Sequence, residues 1–193
     1  MKKIIATAAI ALASAGVASN ANAQDISYYT GMGVGILSTE HKAAGVDQTK
    51  KTFGGFVKFG ADFNEYFAAE LRLGMSGKNK KTTAAGTSTY SSPVLFSYLA
   101  KAKYPVASNL DIFMLAGATT ARIKGQMNTA TQTQTKTGLS IGAGFDYKLD
   151  NNLSIGADWT QYMFPVSMKA GTVFAADSKA RMWGLTTNVA YHF

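Results

Sequence analysis

The sequence predicts an all-β protein, an eight-stranded antiparallel up-and-down transmembrane β-barrel. Three observations predict this fold. The mean hydropathy of the 193 residues is close to zero, with 47% hydrophobic but only 16% charged residues. Apolar residues occupy alternate positions in repeated segments of about ten residues. Long polar connections alternate with short ones. A barrel with an apolar outer face and a polar interior has this intermediate hydropathy, whereas a soluble domain carries more charge.

The first residues are typical of a secretory signal peptide. Lys2 and Lys3 precede an apolar stretch, residues 4–17, and a small-residue cleavage site ends at Ala23. The stretch is shorter than the roughly 20 residues that a membrane-spanning helix requires. We therefore expect residues 1–23 to be a cleaved signal peptide and residues 24–193 to be the barrel. The sequence has no cysteine, so disulfides cannot stabilise the exported chain.

Eight segments show the period-two alternation of strands that have two different faces. The segment 67–77 is the clearest, because Leu71 alternates with Glu70 and Arg72. The contrast is weakest in 110–123, where both faces are largely apolar. The predicted strands are residues 26–38, 51–63, 67–77, 94–104, 110–123, 138–149, 153–164 and 182–193.

The connections between these strands alternate in length, which predicts the topology. Outer-membrane barrels join their strands by short periplasmic turns and long external loops. The alternation therefore predicts an outer-membrane location with the first strand starting on the periplasmic side. Because proline cannot donate a ladder hydrogen bond, we place Pro93, Pro105 and Pro165 at strand ends or in connections. The long connections are residues 39–50, 78–92, 124–137 and 166–181, and the short ones are residues 64–66, 105–109 and 150–152.

Two belts of large side chains on the apolar face support the same orientation. Aromatic rings favour the headgroup level of a membrane, so a row of them marks a boundary of the bilayer. The belt at the ends joined by short turns consists of Tyr28, Phe63, Phe67, Tyr104, Tyr147, Tyr191 and Phe193. The thinner belt at the opposite ends consists of Phe53, Phe96, Met163 and Trp183.

The inward-facing positions carry charges of both signs. The interior of an eight-stranded barrel is just wide enough for side chains, and burial of unpaired charges is unfavourable. We therefore expect these residues to pair and to form a polar plug, with a gated or leaky ion path as the alternative. The predicted lumenal charge cluster is Lys58, Asp62, Glu70, Arg72, Lys101, Lys103, Asp146, Lys148 and Asp158.

The long connections carry an excess of positive charge. Lysine and arginine offer charge and hydrogen-bond donors to lipopolysaccharide phosphates or to anionic host and environmental surfaces. The alternative is that these charges serve loop solubility without a specific partner. Export and the lack of a nucleic-acid-binding motif argue against nucleic acid as a partner. The predicted basic residues are Lys78, Lys80, Lys81, Lys124, Lys136, Lys169, Lys179 and Arg181.

The sequence contains few residues suited to catalysis or metal binding. Its two histidines, His41 and His192, are distant and lack metal-ligand spacing. His41 lies beside Glu40, where Ser38 or Ser76 is the nearest candidate nucleophile. We expect no enzymatic activity, no metal and no cofactor. A narrow channel or carrier for small solutes is the second interpretation, and a lipid A-modifying enzyme is the third.

Three parts of the sequence carry a family resemblance. They are residues 98–105 with 109–113, residues 142–147, and the alternating end of the chain, residues 188–193. They resemble the fourth, fifth, sixth and terminal strands of small outer-membrane barrels of the OmpA/OmpX type. This porin family includes the opacity proteins of Gram-negative bacteria. The end at Phe193 without a periplasmic domain is similar to OmpX. We expect a monomer with a structural or surface-interaction role. The resemblance implies that the barrel-assembly machinery reads Val189, Tyr191 and Phe193.

The resemblance also implies a role for part of the lumenal cluster. In that family, acidic and basic residues inside the barrel block or gate the lumen, and Glu70, Lys101 and Asp146 match their positions. The family has an arginine where this chain has Leu115. Arg72 could take the place of that arginine.

Overall fold

The computed structural model describes residues 26–43, 46–77, 79–83, 86–127, 130–171 and 178–193. The predicted signal peptide, residues 1–23, lies outside them. Within this part of the chain, no helix is long and apolar enough to cross a membrane. The described residues form nine strands. They are β1 (Ser27–Ala43), β2 (Val46–Asp62), β3 (Phe67–Ser76), β4 (Asn79–Thr83), β5 (Gly86–Ala107), β6 (Leu110–Met127), β7 (Ala130–Lys148), β8 (Leu153–Ser167) and β9 (Lys179–His192).

Eight of these strands form a closed antiparallel ring. β1 pairs with β2 on one side and with β9 on the other, and the order continues through β8, β7, β6 and β5. The ring closes where β3 pairs with β5, from Phe67 opposite Ala102 to Gly74 opposite Leu95. β4 is a short extension that pairs with the first part of β5. The predicted eight-stranded up-and-down barrel is confirmed. Because the ring is closed, each of its eight strands has a hydrogen-bonding partner on both edges, which lipid could not provide.

The predicted long connections are largely β-structure. β1 and β2 stay paired as far as Ala43 opposite Val46, and β6 and β7 as far as Met127 opposite Ala130. The fourth connection ends earlier than predicted, because β9 begins at Lys179. Periodicity misses these extensions because both faces of a hairpin meet water beyond the membrane, where apolar and polar residues no longer alternate.

Pro105 and Pro165 lie two residues before the ends of their strands, close to the predicted strand ends, whereas Pro93 lies in the interior of β5, which corrects its prediction. Pro93 and Pro105 belong to β5, and Pro165 belongs to β8. Each of them falls at a shift of register, where a bulge interrupts the ladder and the missing N–H of proline is tolerated. The shifts lie between Ser91 and Val94, between Pro105 and Ala107, and between Met163 and Val166.

The outward face carries both aromatic belts. The residues of the belt beside the short turns are exposed, except for the half-buried Phe63. At the opposite end Phe53, Phe96 and Trp183 face outward as predicted, but the prediction for Met163 is wrong. Met163 is only 1% exposed, because the register shift after Gln161 turns the following residues of β8 and places Met163 inside the barrel.

Candidate functional site

The centre of the lumen holds a buried network of two carboxylates and a guanidinium. Glu70 and Arg72 are two positions apart on β3, so both side chains point inward. Arg72 Nε lies 2.5 Å from Glu70 Oε1, and Arg72 Nη1 lies 2.9 Å from Asp158 Oδ1 on β8. Arg72 is only 2% exposed, and both carboxylates are buried. Because buried charges are tolerated only when they are paired, this network links β3 to the opposite wall of the barrel.

Neutral side chains complete the hydrogen bonding of the network. The Tyr29 hydroxyl donates to Glu70 Oε2 at 2.8 Å, and Lys58 Nζ donates to Asn188 Oδ1 at 2.7 Å. Gly60 lies opposite Tyr29 in the ladder, and a Cβ at this glycine would meet Tyr29 Cζ at 2.0 Å. The glycine thus makes room for the ring. The predicted cluster omits Tyr29 and Asn188, although the alternation of their strands places both on the inward face.

More ion pairs lie toward the end of the barrel with the short turns, the predicted periplasmic end. Lys101 Nζ is 2.5 Å from Asp146 Oδ2, and Lys148 Nζ is 3.0 Å from Asp111 Oδ2. Asp111 is not in the predicted cluster, but the alternation places it on the inward face of β6. All nine predicted cluster residues make an ion pair inside the barrel. We call this set the charged layer, and it consists of Lys58, Asp62, Glu70, Arg72, Lys101, Lys103, Asp111, Asp146, Lys148 and Asp158.

A cavity of about 520 Å³ lies between these pairs and the periplasmic turns. His192 lines it, with Nε2 3.0 Å from Ser154 Oγ and Nδ1 3.7 Å from Asp62 Oδ2. Asp62 also pairs with Lys103. The order serine, histidine, aspartate is that of a nucleophile, its base and an orienting acid. The 3.7 Å separation is too long for a hydrogen bond, so Asp62 does not fix the imidazole as such a triad requires.

An apolar cluster packs in the half of the lumen away from the short turns, the predicted extracellular half, beside buried polar residues such as Ser92 and Gln161. Met168 enters from the segment after β8, where its backbone N–H donates to the Ser178 carbonyl at 2.8 Å. Tyr162 joins the two halves, because its ring packs among the apolar residues while Arg72 Nη1 donates to its hydroxyl at 3.3 Å. The sequence analysis does not identify this cluster. We call it the apolar layer, and it consists of Leu37, Leu95, Ala121, Ile123, Tyr162, Met163, Met168, Ala180 and Met182.

The position at which the related family has an arginine is apolar in this barrel. Leu115 is buried and packs with Leu99 and Phe113. The buried guanidinium comes instead from Arg72 on β3, whose Cζ lies 4.5 Å from the centre of the Phe56 ring. In this barrel the buried guanidinium that pairs with Glu70 is therefore that of Arg72, on β3.

The predicted basic residues are spread over strands and connections near the extracellular end. The hairpin of β6 and β7 carries Lys124 and the half-buried Lys136, and the segment after β8 carries Lys169. Lys179 and Arg181 belong to β9 rather than to a loop. We call Lys124, Lys136, Lys169 and Lys179 the basic rim. The structure gives no side-chain position for the other three, which are Lys80 and Lys81 of β4 and Lys78, outside the described residues.

The end of the last strand presents its apolar face outward. Val189 and Tyr191 alternate with inward-facing residues, and Phe193 is exposed. The rings of Tyr191 and Phe193 meet edge to face, with centroids 5.3 Å apart. The backbone N–H of Phe193 donates to the Tyr28 carbonyl at 2.9 Å, which ties the end of the chain to β1.

A family model describing the outer membrane protein beta-barrel domain matches residues 6–193. The chain belongs to this family of outer-membrane β-barrel proteins. No curated protein sequence matches the chain closely enough to count as a relative. The family and the closed ring of strands together establish an outer-membrane barrel of the OmpA/OmpX-like type.

Solved structures have the same fold. Neisserial surface protein A is 16% identical with a TM-score of 0.61, and the match covers 86% of this chain and 97% of that chain. Ail of Yersinia pestis, in complex with the heparin analogue sucrose octasulfate, is 17% identical with a TM-score of 0.53, covering 86% and 99%. OprG from Pseudomonas aeruginosa is 14% identical with a TM-score of 0.53, covering 87% and 95%. At these identities the likeness concerns the fold alone.

Proposed function

We propose that the protein is a sealed outer-membrane barrel with a structural or surface-interaction role. This proposal rests on the two layers of side chains that fill the lumen, the charged layer and the apolar layer. An ion entering the charged layer would have to break buried ion pairs. To cross the apolar layer it would have to lose its water among side chains that offer few hydrogen bonds. The filled interior disfavours transport and leaves the outer surface as the place of function.

The partner we propose is an anionic polymer or lipopolysaccharide at the extracellular surface. Lys124, Lys169 and Lys179 are exposed near that end of the barrel, and residues 24–193 have 17 Lys and Arg against 11 Asp and Glu, a formal net charge of +6. Exposed ammonium groups bind phosphate and sulfate groups through charge-assisted hydrogen bonds and long-range attraction. Ail, which has the same fold, was solved with a polysulfated heparin analogue. This chemistry suits the basic rim.

Single-channel recording tests the sealed lumen. We expect refolded protein in a planar bilayer to produce no steady conductance steps, because both layers block the path. The double variant Leu95→Ala with Met182→Ala removes volume from the apolar layer but leaves the charged layer intact. It should stay closed as well, because the ion pairs still block the lumen. Steady nanosiemens-scale steps from the wild-type barrel would contradict the proposal.

Binding to sucrose octasulfate and to a heparin column tests the proposed partner. The double variant Lys124→Gln with Lys169→Gln should elute at lower salt than the wild type, because it loses two exposed charges of the basic rim. Lys148→Gln is the control for Lys124→Gln alone, since each single variant loses one lysine charge and Lys148 is a partly exposed lysine at the periplasmic end. It should elute with little change. Unchanged elution of the rim variant, or an equal shift of the control, would count against a specific rim.

A small-solute carrier is the second candidate, and the periplasmic cavity favours it. Its volume of about 520 Å³ is in the range of small-molecule sites, which also occur in the mouths of β-barrels. The third interpretation, a lipid A-modifying enzyme, depends on His41, whose side chain lies outside the described residues. We propose a non-enzymatic monomer whose last strand, with Val189, Tyr191 and Phe193, is recognised by the barrel-assembly machinery.

A further inference from the structure

The outer wall formed by β9, β1 and β2 changes character over three successive rows of outward-facing residues. Successive outward residues of a strand are about 7 Å apart, so the whole change occurs within about 14 Å. The first row is fully apolar and faces lipid, the second contains an indole and an ammonium group, and the third is ionic. From the membrane outward, the rows are Leu185, Ile36 and Phe53, then Trp183, Ser38 and Lys51, then Arg181, Glu40 and Thr49.

The second and third rows are connected by direct contacts. Trp183 Nε1 donates to Glu40 Oε1 at 3.1 Å, and Arg181 Nη1 lies 3.8 Å from Glu40 Oε2. Lys51 Nζ lies 6.0 Å from the centre of the Trp183 ring, at the outer limit of a cation–π contact. Lys51 makes no ion pair with the residues that the structure describes. Arg181 and Lys51 carry two positive charges, and Glu40, which among the described residues pairs with Arg181 alone, carries one negative charge, so these three residues keep a net positive charge.

Ser38 gives a second, independent indication of a ligand. It lies between Trp183 and Lys51 in the ladder, and its neighbour Leu37 points into the lumen, so Ser38 is on the lipid side. Ser38 is nevertheless completely buried, and its Oγ has no hydrogen-bond partner among the described residues. A buried hydroxyl without a hydrogen-bond partner is unfavourable, so its presence in a native protein calls for a specific explanation, such as a ligand.

We propose that Lys51, Arg181, Trp183 and Ser38 bind the phosphoryl group of a phosphorylated outer-leaflet lipid. Tryptophan favours the headgroup level, and the long stems of lysine and arginine let their charges reach phosphates there. The phosphoryl oxygens accept hydrogen bonds from the ammonium and guanidinium groups, and from the Ser38 hydroxyl when the side chains that cover it move aside. The patch faces sideways, one row above the lipid-facing Phe53. This orientation favours a membrane lipid over a soluble polymer.

The inference deepens the proposed contact with lipopolysaccharide by naming its phosphate site on the barrel wall. The experiment uses refolded protein in nanodiscs of neutral phospholipid that contain a small fraction of bisphosphorylated lipid A. A parallel set contains the same lipid A with its phosphates removed. Lipid retained on the released protein is measured by native mass spectrometry. We expect the wild type to retain the phosphorylated form about tenfold better, as hydrogen bonds to charged groups allow.

The variants separate this site from the basic rim. Lys51→Gln with Arg181→Gln should lose the preference for phosphorylated lipid A and keep its retention on heparin. Lys124→Gln with Lys169→Gln should do the reverse. Lys51→Gln alone, which breaks no described ion pair, should weaken the preference if the double variant does not fold. Millimolar inorganic phosphate should not displace the lipid.

Three results would overturn the site. They are equal retention of the two lipid forms, an unchanged preference in Lys51→Gln, and displacement of the lipid by inorganic phosphate, which would point to a free-anion site. Loss of heparin binding in the rim variant has no bearing on these outcomes. The proposed polyanion contact can thus fail while the lipid site stands, and the reverse also holds.

Discussion

Both halves of the lumen are filled with side chains, but one half is filled by ion pairs and the other by an apolar cluster. The charged layer joins distant strands through directed bonds, such as those from Arg72 to Glu70 and to Asp158. The apolar layer fills its half with side chains of adaptable shape, including Met163, Met168 and Met182. Methionine adapts to irregular gaps, whereas an ion pair accepts only a narrow geometry. The charged half therefore specifies which strands face each other, and the apolar half excludes water.

The difference predicts unequal responses to mutation. In the charged layer the loss of one partner leaves another charge buried and unpaired, although a complete pair adds little net stability. In the apolar layer the loss follows the volume removed. Unfolding by urea in lipid vesicles, followed by tryptophan fluorescence, gives the free energies that compare the two halves.

The largest effect is expected for Arg72→Ala. This change leaves Glu70 and Asp158 buried near each other without their guanidinium, which should lower the free energy of unfolding by about 4 kcal/mol. Arg122→Ala, at an exposed position of β6, is the control and should change it by less than about 0.5 kcal/mol. If Arg72→Ala lowered stability by less than about 1 kcal/mol, the charged layer would not be a tightly coupled network.

A slightly smaller effect is expected for Met182→Ala in the apolar layer. Met182 is buried, and its truncation leaves a cavity that the barrel wall cannot collapse to fill, so we expect a loss of about 3 kcal/mol. Met114→Ala is the matched control, because Met114 is exposed on the lipid face of β6. A loss in Met182→Ala no greater than in the control would show that the apolar layer is loosely packed.

The sequence predicts the fold far better than the interior, for a physical reason. Alternation reports which face of a strand meets lipid, so the ring and the outward belts follow from it. It cannot report a bulge, and the shift after Gln161 moves Met163 from the belt into the lumen. Inward leucines such as Leu37 lie beside outward apolar residues, so no contrast marks the apolar layer. The pairing of Arg72 with Asp158 depends on barrel closure, which brings β3 opposite β8.

A single and a double substitution of the Lys101 and Asp146 pair sharpen the comparison further. Lys101→Met leaves a buried carboxylate unpaired and should lower the free energy of unfolding by about 2 kcal/mol. Lys101 Nζ also lies 4.2 Å from the centre of the Phe113 ring, a position that suits an apolar replacement. Lys101→Met with Asp146→Leu should therefore recover most of the loss. Additive losses in the double variant would show that each charge has partners beyond this pair.

The smallest effect is expected for Ser154→Ala beside the periplasmic cavity. It removes one hydrogen bond to His192, so we expect a loss of about 1 kcal/mol or less. A fluorophosphonate probe should not label Ser154 in the wild type. The hydroxyl is buried, and Asp62 lies too far from the His192 Nδ1 to hold the imidazole as a base. Labelling that disappears in Ser154→Ala would make this end of the barrel a catalytic centre. The charged layer would then supply an orienting carboxylate as well as a seal.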